Sequence, residues 1–166
     1  MRIIVCDAGP IIHLNEANIM PFLKNTGEII LPYAVSSEIL SVTNLANNWP
    51  EWLKVVRLSY SQIKEAETWA KVGDLHIGEA EAFVLARDRK ADWLLTDDST
   101  ARLFSSLFGL EVHGSLGVVL WNIAHGYISQ TEAESALDNL KRSSLWLSEK
   151  ILQEARKAIE QITYRA

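Results

Sequence analysis

The hydrophobic residues of this chain fall into short continuous runs separated by longer amphipathic stretches. The runs lie at residues 3–6, 28–31, 55–58, 92–96 and 110–112. Strands buried on both faces of a parallel sheet have this pattern, whereas half-exposed strands alternate polar and apolar residues. The pattern therefore predicts an α/β fold, a three-layer sandwich in which a mostly parallel sheet of four to five strands lies between helices.

The stretches between the runs carry helix signals, mainly hydroxyl side chains that can cap a helix start. Helices are predicted at residues 11–14, 19–23, 38–40, 61–71, 79–89 and 148–164, and at starts near 99, 115 and 131. The predicted caps are Ser36 or Ser37, Ser61, Ser99, Ser115, and Thr131 with Glu134 in a capping box. Only helices follow residue 128, so we expect a domain over residues 1–128 and a C-terminal helical extension over 129–166 packed on it.

The composition is that of one globular domain. Of 166 residues, 48% are hydrophobic and 22% charged, which excludes disorder over most of the chain. A single cysteine, Cys6, excludes an internal disulfide and is typical of a reducing compartment. The sequence has no signal-peptide pattern and no apolar run of about 18 residues that would span a membrane. We therefore expect a cytoplasmic protein.

The charge is unevenly distributed. The net charge is −5, but residues 141–166 carry +3, so residues 1–140 carry −8. A net negative charge argues against a protein that coats nucleic acid, because the phosphates of nucleic acid are also negative. An acidic body can also gather carboxylates that hold cations, and bound cations let phosphates approach. The charge therefore does not exclude a nuclease.

Several carboxylates are expected at one edge of the sheet. Asp7 directly follows the first strand, and Asp97 and Asp98 follow the strand at 92–96. Ligands of parallel sheets bind beyond the carboxyl ends of the strands. Glu38 and Glu79 begin helices that can add their carboxylates to the same cluster. Such a cluster predicts Mg²⁺ or Mn²⁺, hard cations that accept phosphate oxygens and activate water.

Each acid also has a structural interpretation. Asp7 is typical of an Asx turn, and Asp97 with Asp98 is typical of a turn that starts a helix. Glu38 and Glu79 near helix starts can stabilise their helices by interacting with the helix dipole, without binding any ligand. Glu81 is expected on a different, solvated face. The four histidines show no metal-ligand spacing, so we expect surface or packing roles for them.

Four segments in series resemble the motifs of PIN-domain proteins. They are residues 6–14 (CDAGPIIHL), 32–39 (PYAVSSEI), 75–82 (LHIGEAEA) and 94–102 (LLTDDSTAR). Residues 113–117 (HGSLG) extend the likeness. The chain most resembles a PIN-like group of small prokaryotic proteins related to the VapC-type toxins.

This resemblance implies a Mg²⁺- or Mn²⁺-dependent ribonuclease, often the toxin of a type II pair that a small antitoxin protein neutralises. Carried over, the metal ligands and catalytic residues are Asp7, Glu38, Glu79 and Asp98, with Asp97 competing with Asp98 for the fourth position. Residues 1–128 would then be the nuclease domain. Arg102 is the candidate contact to RNA phosphates, with a solvated surface charge as the alternative.

One departure keeps a second hypothesis open. Many relatives have Ser, Thr or Asn two residues after the first aspartate, and this chain has Gly9. The alternative function is a PIN-like module that binds RNA or docks a partner without turnover. The apolar stripe of the last helix packs on its own domain or, alternatively, forms a homodimer or antitoxin surface.

Overall fold

The strands form one sheet in which every neighbouring pair is parallel. The computed structural model describes residues 1–165. The strands are β1 (Ile3–Cys6), β2 (Glu28–Pro32), β3 (Leu53–Val56), β4 (Trp93–Leu95) and β5 (Val112–His113). Their order is β3-β2-β1-β4-β5. The chain thus runs outward from β1 in one direction and returns to build the other half, which leaves a switch point between β1 and β4.

Helices cover both faces of this sheet. They are α1 (Ala8–Glu16), α2 (Pro21–Lys24), α3 (Tyr33–Val42), α4 (Tyr60–Gly73), α5 (Ile77–Asp88), α6 (Ser99–Leu107), α7 (Ser115–Ala124), α8 (Gln130–Arg142) and α9 (Glu149–Arg165), with a 3₁₀ turn at Leu45–Asn47. No helix within residues 1–165 combines the length and the apolar composition needed to cross a membrane.

The sheet separates two apolar layers because successive side chains of a strand point to opposite faces. Ile4 and Cys6 of β1 belong to a core cluster that includes residues of α1, α3 and α7. Val5, between them, packs in a different cluster with Ala82 and Leu85 of α5. All three β1 residues are fully buried. The continuous apolar runs are therefore strands covered on both faces, and the predicted three-layer α/β sandwich is confirmed.

Two predicted strands are displaced. The structure places β3 at residues 53–56 rather than 55–58, and β5 at 112–113 rather than 110–112. Both are edge strands with exposed or half-buried residues, so their hydrophobic pattern is weaker than that of the central strands.

Several predicted helix caps are wrong. Ser59 caps α4 in place of Ser61, and Ser129 caps α8 in place of Thr131, each with a reciprocal capping box. Asp98 rather than Ser99 caps α6, because its Oδ1 accepts a hydrogen bond of 2.8 Å from the amide of Ala101. In each case two cap-type residues lie within two positions, so the local pattern cannot select between them.

Two further caps fail for a different reason. The α3 helix begins directly after Pro32, so Ser36 and Ser37 lie inside it and donate their hydroxyls to the carbonyl of Tyr33. Gly114 is the N-cap of α7. The hydroxyl of Ser115 instead donates a hydrogen bond to the carboxylate of Asp97.

The last two helices pack against the rest of the chain. Leu137 and Leu140 of α8 and Ile159 of α9 are fully buried in the same core cluster as Ile4 of β1. The helix α9 contacts α7 and α8 of the same chain, whereas Ile151 of its apolar stripe is exposed. The division of the chain near residue 128 stays a prediction.

Candidate active site

A cavity of about 260 Å³ opens at the carboxyl edge of the sheet, beside the switch point between β1 and β4. Its lining is dominated by acidic side chains. The lining residues are Asp7, Gly9, His13, Glu38, His76, Glu79, Asp97, Asp98, Ser144, Leu145 and Trp146. All five acids of the predicted cluster therefore border one cavity, although 91 positions separate the first from the last.

The strands and helix starts place these acids. The amide of Asp7 donates to the carbonyl of Leu95 over 2.9 Å, so Asp7 leaves β1 still attached to β4. Glu79 lies in the first turn of α5, where its Oε2 accepts a hydrogen bond of 2.9 Å from the amide of His76. Asp98 caps α6 at the end of β4. Backbone geometry at three chain segments thus directs carboxylates to one edge.

Close packing of α3 on α5 brings Glu38 to the same cavity. A Cβ added at Gly78 would lie only 3.3 Å from Oε2 of Glu38, so the glycine permits this approach. Glu38 and Asp98 are exposed and Glu79 is half-buried.

Asp7 is the deeply buried acid of the cavity, with 6% of its surface exposed. Its Oδ2 accepts a hydrogen bond of 3.0 Å from the hydroxyl of Thr96. Burial, together with the negative charges of Glu79 and Glu38, raises the pKa of Asp7 to about 7, even though hydrogen bonds to this carboxylate lower it. The ionised form of Asp7 is therefore unfavourable without a compensating positive charge.

The same repulsion acts on Glu79. Burial raises its pKa first, and the charges of Asp98 and Glu38 add to the rise, while the hydrogen bond from His76 opposes it. Asp98 and Glu38 thus act electrostatically on the half-buried Glu79, and together with Asp7 they form one interacting set of carboxylates.

The two adjacent aspartates have different surroundings. The Asp97 side chain is 7% exposed, and its Oδ2 lies 2.7 Å from Nδ1 of His13 and 2.6 Å from the hydroxyl of Ser115. Its Oδ1 accepts a hydrogen bond of 2.7 Å from the amide of Ser115. Burial opposes ionisation of Asp97, but these hydrogen bonds outweigh it and hold its pKa below the usual value. Asp97 therefore joins α1, β4 and α7, whereas Asp98 is exposed beside the cavity.

Arg102 lies on α6 beside a second cavity of about 790 Å³. Its Nη2 donates to the carbonyl of Thr96 over 3.2 Å, and the residue is otherwise exposed. The second cavity shares Asp97, Asp98, Leu145 and Trp146 with the first, so the two cavities are adjacent, and we call them together the groove.

Gly9 forms part of the wall of the first cavity. A Cβ added there would lie 3.6 Å from Cβ of Asp97 and 3.6 Å from Cε1 of His13, which is ordinary van der Waals contact. Gly9 is therefore not required by a close approach.

The expectation that Glu81 is solvated is wrong. Glu81 is 8% exposed, and burial raises its pKa. The reason is the position of α5, which packs against α3, α4, α6 and three strands, so that little of its surface faces solvent. Glu81 does not line either cavity.

Sequence reasoning missed three residues of this region. His13 and Ser115 hold Asp97, and Trp146 borders both cavities. Ser115 follows the fifth strand and so shares the carboxyl-edge position that identified Asp7, a signal that could have found it. His13 and Trp146 have no comparable local signal, because tertiary packing alone brings them here.

The acids of the cavity do not form a closed metal site. Among residues 1–165, no three His, Cys, Asp or Glu side chains lie close enough together to hold a metal ion as they stand. A closed cage of protein ligands is therefore absent from this part of the chain. Mg²⁺ is typically bound through one or two carboxylates and keeps several waters. The donor set, carboxylate oxygens with one of them buried, fits a hydrated hard cation of that kind.

A parallel sheet with acidic residues at its switch point places the chain among α/β proteins that act at the carboxyl edge of the sheet. A family model described as DUF3368: PIN domain matches residues 3–161. The chain therefore belongs to the PIN-domain family, whose members are generally nucleases that use divalent metals. No curated protein matches the chain.

Proposed function

We propose that this PIN-domain protein is an endoribonuclease that hydrolyses RNA phosphodiesters with Mg²⁺ or Mn²⁺. The observation that supports this most strongly is the convergence of Asp7, Glu38, Glu79 and Asp98 on one cavity at the switch point of the sheet. The negative charges of Glu79 and Glu38 raise the pKa of the buried Asp7, and a bound cation would offset this repulsion.

The proposed ligands are Asp7, Glu38, Glu79 and Asp98. A bound Mg²⁺ or Mn²⁺ supplies the Lewis-acid chemistry, which activates water and offsets charge on the phosphate. Asp7 provides a carboxylate fixed by its strand and by Thr96, and the exposed Glu38 and Asp98 can adjust to a hydrated ion. We assign Asp98 rather than Asp97 as the fourth ligand, because both oxygens of Asp97 already accept hydrogen bonds from His13 or Ser115.

Other residues would bind and orient the RNA. Arg102 borders the groove next to Asp98, and its hydrogen bond to the carbonyl of Thr96 directs the guanidinium along the edge of the sheet. A cation there can contact a phosphate adjacent to the one being hydrolysed. The covalent chemistry needs no protein nucleophile.

The proposal extends to a cellular role. The motif series resembles that of VapC-type toxins. We therefore propose that the protein acts in the cytoplasm as the toxin of a type II toxin–antitoxin pair, with a small antitoxin protein as its partner. A homodimer is a further candidate assembly.

A second candidate is a PIN-like module that binds RNA without turnover. Two observations favour it: no closed group of metal ligands exists within residues 1–165, and Gly9 supplies no hydroxyl beside Asp97.

The experiment that separates the two candidates is RNA cleavage with controlled metal content. We expect the protein to cleave a structured RNA in Mn²⁺ or Mg²⁺, to stop in EDTA, and to lose at least about 100-fold in rate on Asp7→Asn substitution. Binding of the RNA without cleavage in either metal would support the module instead.

A further inference from the structure

Trp146 is an exposed tryptophan held at the edge of the candidate active site. Of the six tryptophans, all within residues 1–165, Trp146 alone is exposed, with 82% of its surface accessible. It lies between α8 and α9 and borders both the acidic cavity and the second cavity. The indole is therefore accessible to a ligand bound in either cavity.

The backbone around Trp146 is anchored on both sides. Ser144 donates its amide and its hydroxyl to the carboxylate of Glu16 on α1, with the shortest distance 2.7 Å. Leu145 and Leu147 pack against the main core cluster. The indole of Trp146, between two anchored leucines, is therefore turned outward by a fixed segment and does not belong to a loose loop.

The surroundings of the indole match a nucleotide. The second cavity, at about 790 Å³, lies within the roughly 300–1,000 Å³ range of ligand pockets and has mainly apolar walls that include Leu103 and Leu116. Arg102 borders the same cavity and supplies a positive charge. The two adjacent cavities thus offer carboxylates, a guanidinium and an aromatic face.

We infer that Trp146 is the platform on which an unpaired base of the RNA stacks, beside the phosphate at the carboxylates. This inference rests on the proposed function, since it takes the acidic cavity as the place of hydrolysis. Stacking on an exposed indole requires a base that is not paired, so the residue selects single-stranded segments over duplex RNA. Arg102, which borders the second cavity together with Trp146, would bind a phosphate of the same RNA segment.

The test measures binding of a short single-stranded oligoribonucleotide by fluorescence anisotropy in EDTA. The carboxylate charge is the same in all variants, so the ratio of dissociation constants reports the indole. We expect Trp146→Ala to weaken binding roughly 5- to 150-fold and Trp146→Phe to recover most of it. The matched control is Tyr164→Ala, because Tyr164 is 94% exposed and borders neither cavity.

An abasic scan separates stacking from a structural role. We expect that removing one particular base weakens RNA binding to the wild type as much as the Trp146→Ala substitution does. Removing the same base should not weaken binding to the Trp146→Ala variant any further. Equal affinity of Trp146→Ala and wild type, or the lack of any such position, would overturn the inference and leave the groove as a protein surface.

The outcomes also distinguish this inference from the proposed function. Stacking on Trp146 without cleavage in Mn²⁺ would contradict the ribonuclease alone, whereas cleavage with a KM insensitive to Trp146→Ala would contradict the stacking alone. A wild type that neither binds nor cleaves RNA would contradict both.

Discussion

Nδ1 of His13 lies 2.7 Å from Oδ2 of Asp97, a contact between residues 84 positions apart in the chain. It fixes the first helix to the loop that follows β4, and Ser115 completes the arrangement from α7. The contact gives different roles to two adjacent acids that the sequence does not distinguish. Asp97 holds the edge of the sheet together, and Asp98 remains exposed at the cavity.

The first prediction concerns this pair of aspartates. Asp97→Asn replaces a charged acceptor of three hydrogen bonds, so we expect it to lower the free energy of unfolding by about 2–3 kcal/mol. Asp98→Asn keeps an equally good N-cap, so we expect a change below about 0.5 kcal/mol together with loss of cleavage. Urea unfolding followed by circular dichroism measures the change in the free energy of unfolding for each variant. A destabilised Asp98→Asn beside a neutral Asp97→Asn would reverse our assignment.

The second prediction concerns pH. The pKa of Asp7 is about 7 in the folded, metal-free protein, against an ordinary value of 3.8. Between these values the folded state holds a proton that the unfolded chain releases, so the stability that Asp7 contributes falls as the pH rises from about 4 to above 7. The effect is on the order of 2–4 kcal/mol.

Thermal unfolding in EDTA across this pH range checks the second prediction. We expect the Tm of the wild type to fall relative to that of Asp7→Asn as the pH rises, so that the variant is the more stable protein at pH 8. Parallel curves for the two proteins would show that Asp7 has an ordinary pKa.

The third prediction concerns two glycines near Asp97. A Cβ at Gly114 would clash with Nη2 of Arg102 and with Oδ1 of Asp97, so we expect Gly114→Ala to destabilise the protein by about 1–3 kcal/mol. Gly9→Ala is the matched control, because its Cβ meets only ordinary contacts and alanine favours the α1 helix. Chemical unfolding compares them, and equal stabilities would contradict the close approach at Gly114.

Much of the fold could be predicted because its signals are local. The central strands are continuous apolar runs, and the residues that end them, such as Asp7 and Asp98, must reach one edge of a parallel sheet. These two facts are enough to predict the layers and the aspartates around the cavity. The expectation that Glu38 begins a helix is wrong, because α3 already begins at residue 33. The helix starts are not specified by the local sequence, since neighbouring hydroxyl residues such as Ser59 and Ser61 are equally good caps.

The rest depends on contacts distant in sequence. The role of Asp97 is set by His13 and Ser115, which no local pattern connects to it. Glu81 is buried because several elements surround α5, and a single helix repeat does not show that. The position of Trp146 at the site follows from how α8 and α9 return to the edge of the sheet.

The most direct test of the central claim compares Glu79→Gln with Glu81→Gln in cleavage of one RNA in Mn²⁺. Both residues are acids of α5, but only Glu79 lines the acidic cavity. We expect Glu79→Gln to cleave at least about tenfold more slowly than the wild type. Glu81→Gln, once circular dichroism shows that it is folded, should cleave at the wild-type rate. Equal rates for Glu79→Gln and the wild type would contradict a metal-dependent hydrolysis at this cavity.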